Sequence, residues 1–197
     1  MPPESPPQLW LLIGGNGSGK STFHHQFLAR YDLPLVNADQ IARTFWPEQP
    51  EEHSYEAALL AEKERFRLVD ERQSFCFETV FSHPSKLDFA ARAKASGYRL
   101  VVFYFHLDTI GLNLARVAAR VTQGGHGVPE DKVRGRIPRT RRLASRLCGL
   151  ADELHLVDNS SAESPYQRVA LWRDGHWQPL AEPVPQWARW FLEGDGE

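Results

Sequence analysis

The chain has 197 residues, 42% of them hydrophobic and 24% charged, which matches the length and composition of one globular domain with a packed core. Its net charge of −2 gives no general attraction to nucleic acid or an anionic membrane, and no apolar run approaches the ~20 residues that span a bilayer, so neither partner is expected. The opening MPPESPPQ has neither a basic start nor an apolar run and reads as a proline-rich tail over 1–8, while Cys76 and Cys148 lack metal-type spacing and read as two buried free thiols of a cytoplasmic protein.

Short apolar runs then alternate with helical segments, the pattern of an α/β fold with a mostly parallel sheet. Five runs are expected as buried strands: 9–13, 34–37, 74–79, 100–106 and 153–157. They lack polar alternation, as strands covered on both faces do. Helices are expected at 20–31, within 54–71, and at 85–96, 112–122 and 130–150. Pro138 makes the last either two helices or one kinked helix. The spacing gives a P-loop NTPase-type three-layer sandwich: a five-stranded sheet with helices on both faces and a helical lid over about 112–150, within a domain spanning 9–161. Beyond it, Asp174-Gly175 marks the turn of a hairpin, and Trp187, Trp190 and Phe191 mark a docked terminal helix, so that 162–197 packs on the same domain.

Residues 14–22 read GGNGSGKST and match G-x-x-x-x-G-K-[ST] between an apolar strand and a helical run. Gly14, Gly15, Asn16, Gly17, Ser18 and Gly19 are the cradle whose N–H groups turn toward phosphates, with the following helix adding its N-terminal dipole. Lys20 supplies positive charge at the β- and γ-phosphates, Ser21 offers a hydroxyl to Mg²⁺, and Thr22 completes the cradle. ATP and Mg²⁺ are the cofactors this implies.

In an open parallel sheet, ligands bind beyond the carboxyl ends of the strands. Strand two ends in VNAD and strand three in FET, which places Asp39, Glu78 and Thr79 on the rim that carries the cradle. Asp39 is the candidate for orienting and deprotonating an attacking hydroxyl, or an N-cap for the helix starting near Gln40, or both. Glu78 interrupts the most apolar strand, where an uncompensated carboxylate would cost several kcal/mol. It holds a substrate hydroxyl, supports Mg²⁺ through water, or sits in a structural ion pair. Asp108 is a metal-side acid or opens the turn after strand four.

Residues 132–146 carry seven Lys or Arg and no Asp or Glu. Upstream, Arg116 and Arg120 share one helix face, and the glycine-rich stretch 122–129 lies between. Helix, glycine loop and basic helix together suit a lid whose arginines neutralise charge in phosphoryl transfer, with Arg120 and Arg136 the candidates. A solvated basic surface and an RNA grip compete, the latter weakened by the absence of interleaved aromatics. His126, among glycines, is a candidate contact to nucleotide or substrate.

The ordered set GGNGSGKST, VNADQIAR, FETVFS, ARVAARVTQGGHGVP, a basic helix and ADELHLVDNS resembles the zeta-toxin family of small P-loop kinases over residues 9–161. The resemblance implies phosphorylation of a UDP-activated sugar, notably UDP-N-acetylglucosamine, with Asp39 as base, Lys20 as phosphate lysine, and Glu78 with Thr79 holding the sugar. It further implies Arg116 or Arg120, and His126 or Arg136, around the phosphates, and an antitoxin protein as a candidate partner. The sequence departs from some members in having His126 where they carry arginine, and Thr79-Val80 after the strand-three glutamate. A kinase of another metabolite or nucleoside, and a nucleotide-dependent regulatory protein, are the alternatives. No LSGGQ-type signature of a transporter ATPase is present.

Overall fold

A computed structural model describes residues 5–122 and 127–194. In chain order its elements are β1 (Gln8–Gly14), α1 (Lys20–Phe23), β2 (Leu35–Val36), α2 (Ala38–Phe45), α3 (Ser54–Asp70), β3 (Phe75–Thr79), α4 (Ser85–Ala95), β4 (Arg99–His106), α5 (Ile110–Thr122), α6 (Glu130–Ser145), β5 (Glu153–Asp158), β6 (Gln167–Arg173), β7 (His176–Pro179) and α7 (Gln186–Leu192). The expected helix 20–31 is irregular: α1 passes into a π-helical stretch, His24–Leu28, and a 3-10 turn, Ala29–Tyr31. The segment 130–150 is a single helix through Pro138 that ends at Ser145 and tightens into the 3-10 turn Arg146–Gly149.

The sheet has seven strands in the order β2-β3-β1-β4-β5-β6-β7, where five were expected. The five expected strands are all present and parallel. The difference lies in the hairpin, which pairs antiparallel along β5 and adds two strands to the five. Its turn is built as the sequence reads, with Asp174 at φ 53° and Gly175 at φ 80°, the left-handed pair that matches strand twist. Joining the sheet satisfies the backbone groups that β5 would otherwise expose at an edge.

Alternation along the strands sorts the core. Leu9, Leu11 and Ile13 of β1, with Phe75 and Phe77 of β3 and Leu154 and Leu156 of β5, face α3, α4, α6 and α7. Leu12, Cys76, Phe105 and Val157 face the other way, toward Leu28, Phe23 and Tyr166. Cys76 is buried, but Cys148 is only half-buried. No helix among the described residues is long and apolar enough to cross a membrane.

The terminal aromatic helix covers a partly buried histidine. His106 of β4 stacks on Trp187 of α7 with centroids 4.1 Å apart, and the Trp187 indole donates to Asp158 at 2.8 Å. Burial, with nearby Arg141, outweighs the Asp158 and Asp108 charges and pulls the His106 pKa down to about 4 from 6.5. The unfolded chain therefore binds the proton first on acidification. The stabilisation from a neutral His106 is whole above pH 6.5 and disappears as pH falls toward about 4, at about 1.4 kcal/mol per pH unit. His106→Phe should flatten the acid limb of stability against pH, measured by urea unfolding, by up to one proton. An unchanged limb would show that His106 is not among the residues responsible.

Candidate functional site

The loop after β1 forms the cradle. Gly17 (φ 77°) and Gly19 (φ 94°) hold left-handed backbone. A Cβ at Gly17 would stand 2.7 Å from the Asn113 carbonyl, and one at Gly19 would collide with the Asn159 amide. Only glycine fits either place. Lys20 opens α1, is 7% exposed, and donates to the carbonyls of Gly14 and Gly15 at 3.0 Å each. Three side chains from distant segments brace the loop. Asn113 donates to the Asn16 carbonyl at 2.7 Å, Asn159 to the Ser18 carbonyl at 2.9 Å, and the Tyr166 hydroxyl to the Gly19 carbonyl at 3.1 Å.

A cleft of about 1070 Å³ opens over the cradle, just above the ~300–1,000 Å³ usual for ligand pockets. It is lined by Asn16, Gly17, Gly19 to Thr22, Asp39, Glu78, Thr79, Arg116, Arg120 and Arg136. Gly14, Gly15 and Ser18 are buried and do not line it. His126 falls outside the described residues.

The two rim carboxylates serve differently. Asp39 does not cap its helix. Asn37 takes that role, its side chain accepting from the N–H groups of Asp39 at 2.8 Å and Gln40 at 3.2 Å. Asp39 stands in the first turn of α2, exposed to the cleft, and its carboxylate makes no hydrogen bond or ion pair among the described residues. Glu78 is 8% exposed and, among the described residues, forms no ion pair within salt-bridge distance. The Ser21 hydroxyl donates to its Oε1 at 2.6 Å, while its Oε2 is buried without a hydrogen-bond partner. A hydroxyl oxygen beside a carboxylate with an unused oxygen is the donor set that a hard cation such as Mg²⁺ takes, the rest coming from phosphate and water. The residues present therefore fit the metal.

Both carboxylates act on Lys20. Desolvation is the largest influence on this lysine and lowers its pKa; Glu78 and then Asp39 oppose it, and Arg120 adds to the lowering. Thr79 is partly spoken for, its Oγ1 accepting from the N–H of Phe81 at 3.2 Å. Phe81 is fully buried at φ 62°. Such backbone costs about 1–3 kcal/mol in a bulky residue and holds the turn that aims Val80 and Ser82 at the cleft.

The basic arm divides by helix face. Lys132 and Arg136, one turn apart on α6, reach the cleft, and Arg136 also donates to the Asn16 side chain at 3.4 Å. The others face elsewhere: Arg134 pairs with Glu130, Arg139 bonds the Gly135 carbonyl, and Arg141 lies 4.3 Å over the Trp190 ring. Farther along α6, Thr140 donates to the Val80 carbonyl at 2.8 Å, and Leu143 and Ala144 are in the core. From α5, Arg116 donates to the Asn159 carbonyl at 2.9 Å. Asp108 is largely exposed and does not line the cleft.

The sequence reading missed Asn113, Asn159, Tyr166, Lys132 and Arg65 as cleft or cradle residues. Only Asn159 carried a usable signal, since it directly follows β5 at the edge where ligands are expected.

The sequence profile of the family described as Zeta toxin matches residues 1–167. An uncharacterized protein of Haemophilus influenzae is 31% identical over 136 residues, 66% of this chain and 96% of that protein. Among solved structures, the AvrRxo1-ORF1:-ORF2 complex with ATP matches at a TM-score of 0.72 and 15% identity over 90% of this chain, which spans 61% of the other's length. The PezAT toxin-antitoxin system of Streptococcus pneumoniae matches at 0.62 and 13%, over 96% of this chain and 87% of that one. A putative kinase from Chloroflexus aurantiacus matches at 0.51 and 15%, over 62% and 71%. At such identities the likeness is one of fold.

Proposed function

Since this chain belongs to the zeta toxin family, we propose that it is an ATP-dependent kinase that transfers the γ-phosphoryl group to a hydroxyl of a small molecule, a UDP-activated sugar such as UDP-N-acetylglucosamine. The observation that carries the reading is electrostatic and spatial together. Asp39 and Glu78, from the ends of neighbouring strands, both bear on Lys20 within one cleft large enough for a nucleotide and an acceptor. A bare nucleotide switch has no use for an exposed carboxylate at Asp39 that makes no hydrogen bond or ion pair among the described residues.

The residues divide the work. The cradle N–H groups and Lys20 hold the triphosphate, and burial keeps the lysine directed inward. Ser21 and Glu78 would hold Mg²⁺, which when bound neutralises charge on the β- and γ-phosphate oxygens. Asp39 orients the acceptor hydroxyl and accepts its proton as the hydroxyl oxygen bonds to the γ-phosphorus and the bond to the departing ADP oxygen breaks. Arg120 and Arg136 face the charge that spreads over the transferring group, and Arg116 lies on the nucleotide side, beside Asn159 and Tyr166. Thr79 keeps its hydroxyl proton for the acceptor. Because Thr140, Leu143 and Ala144 are tied to the core, the moving part of a lid ends before Thr140 and does not extend to residue 150. The PezAT likeness supports a protein antitoxin as partner.

The test is an acceptor panel. Purified chain, ATP and Mg²⁺ are incubated with UDP-sugars, free sugars, sugar acids and nucleosides, and phosphate transfer is followed. UDP-sugars should be labelled and free sugars should not. Labelling confined to a nucleoside or sugar acid would replace the acceptor, and ATP binding without any transfer would remove the kinase.

A further inference from the structure

The inward face of α3 is a stripe of Ala57, Ala61, Arg65 and Leu68, exposed by 0%, 1%, 3% and 0%. An arginine stands where the pattern calls for an apolar side chain. Its guanidinium lies 4.3 Å from the centroid of the Phe77 ring and 5.0 Å from that of Phe89. Among the described residues its buried Nε has no hydrogen-bond partner, and no carboxylate lies within ion-pair distance. Glu62 acts on it only at longer range, and burial takes its pKa down to about 10.

The side chain nevertheless borders the large cleft, together with Phe77, Ser82 and Lys86. Lys86 of α4 is half-buried and makes no ion pair among the described residues; burial and then the Arg65 charge lower its pKa, and Glu62 partly opposes them. Two cations thus share one wall, with Glu62 acting on both from beyond ion-pair distance and no acid among the described residues paired with either. Ring contacts offset part of this. A desolvated cation–π contact contributes about 2 kcal/mol, whereas desolvating an ion costs several kcal/mol. Packing alone does not account for the pair.

We propose that Arg65 and Lys86 form an anion-binding subsite at the acceptor end of the cleft, so that the acceptor presents a phosphate or carboxylate group there in addition to the hydroxyl that is phosphorylated. This rests on the kinase reading for the word acceptor, but not for the site itself. Phe77 connects the two. It holds the Arg65 guanidinium, and the next residue of β3 is Glu78, beside Ser21.

The experiment uses the full chain with Mg²⁺ and a non-hydrolysable ATP analogue saturating the cradle, so that added anions meet only the remainder of the cleft. Inorganic phosphate and acetate are titrated separately while the Arg65 Nε–H resonance is followed, which separates a phosphate-selective site from a carboxylate one. Saturable movement of that resonance by either anion is expected, weakened about 10–10²-fold in Lys86→Met; in Arg65→Met, which lacks the resonance, the same loss is read by titration calorimetry, as loss of a charge-assisted hydrogen bond implies. Arg65→Met should also melt at or above the wild-type temperature, since an apolar side chain replaces an uncompensated buried charge. A resonance unmoved by both anions, or a titration unaltered in Lys86→Met, overturns the subsite; if Arg65→Met does not fold, Lys86→Met alone decides. Anion binding at Arg65 in a chain that phosphorylates nothing leaves the subsite standing and removes the kinase. Transfer to charged and uncharged acceptors alike, with no anion titration, does the reverse.

Discussion

Asp39→Asn should reduce kcat for phosphoryl transfer by about 10²–10⁴-fold while the Kd for the ATP analogue stays within a few-fold of wild type. The amide keeps the shape and the hydrogen-bonding reach of the carboxylate but cannot take a proton from the acceptor hydroxyl. The variant is well behaved as a probe because the fold asks little of this side chain. Asn37 already caps α2, and the Asp39 carboxylate makes no hydrogen bond or ion pair among the described residues. Its structural value is the attraction of a first-turn acid to the helix dipole, about 0.3–1 kcal/mol, beside a longer-range attraction for Lys20 that ranks below that of Glu78. Stability should therefore fall by no more than that, measured by urea unfolding beside the kinetics. Activity within a few-fold of wild type would remove Asp39 from proton transfer and leave it an orienting or helix-end residue.

Joint replacement of Arg120 and Arg136 by alanine should cost more, about 10³–10⁵-fold in kcat, because charge spread over the transferring group would lose its cationic partners. The two approach the cleft from different helices, α5 and α6, and Arg120 already acts on Lys20. The prediction separates a role in transfer from one in holding ground-state triphosphate. Loss of transition-state charge compensation lowers kcat with nucleotide affinity little changed, whereas loss of ground-state binding raises KM and spares kcat. Arg139→Ala is the matched control: it comes from the same basic run but bonds its own helix backbone and should leave both constants unchanged. Equal losses from Arg139→Ala and from the pair would mean the arm acts through its general field, and salt would then abolish the difference.

These expectations separate what consecutive residues encode from what depends on assembly. The cradle was legible letter by letter, since left-handed glycines, a lysine and a hydroxyl are demanded by backbone geometry within a few residues. The parallel strands were legible too, through uninterrupted apolar runs, and so was the hairpin turn at Asp174-Gly175, where local φ angles decide the residue types. The place of the rim carboxylates followed from the rule that ligands gather at strand carboxyl ends. Their division of labour did not. Glu78 meets Ser21 across 57 positions because β3 lies beside β1 in the sheet, and that neighbour relation is a product of strand order. Asn37 displaced Asp39 as cap because two residues with good capping chemistry compete and the exact start of the helix chooses between them. The hairpin's joining of the sheet was settled by the open edge of β5, which no local pattern records. Arg65 is the plainest case. Along the chain it is one more basic residue in a charged helix, and only the docking of α3 on Phe77 and Phe89 turns it inward, where the low dielectric gives its charge a consequence that water would have screened.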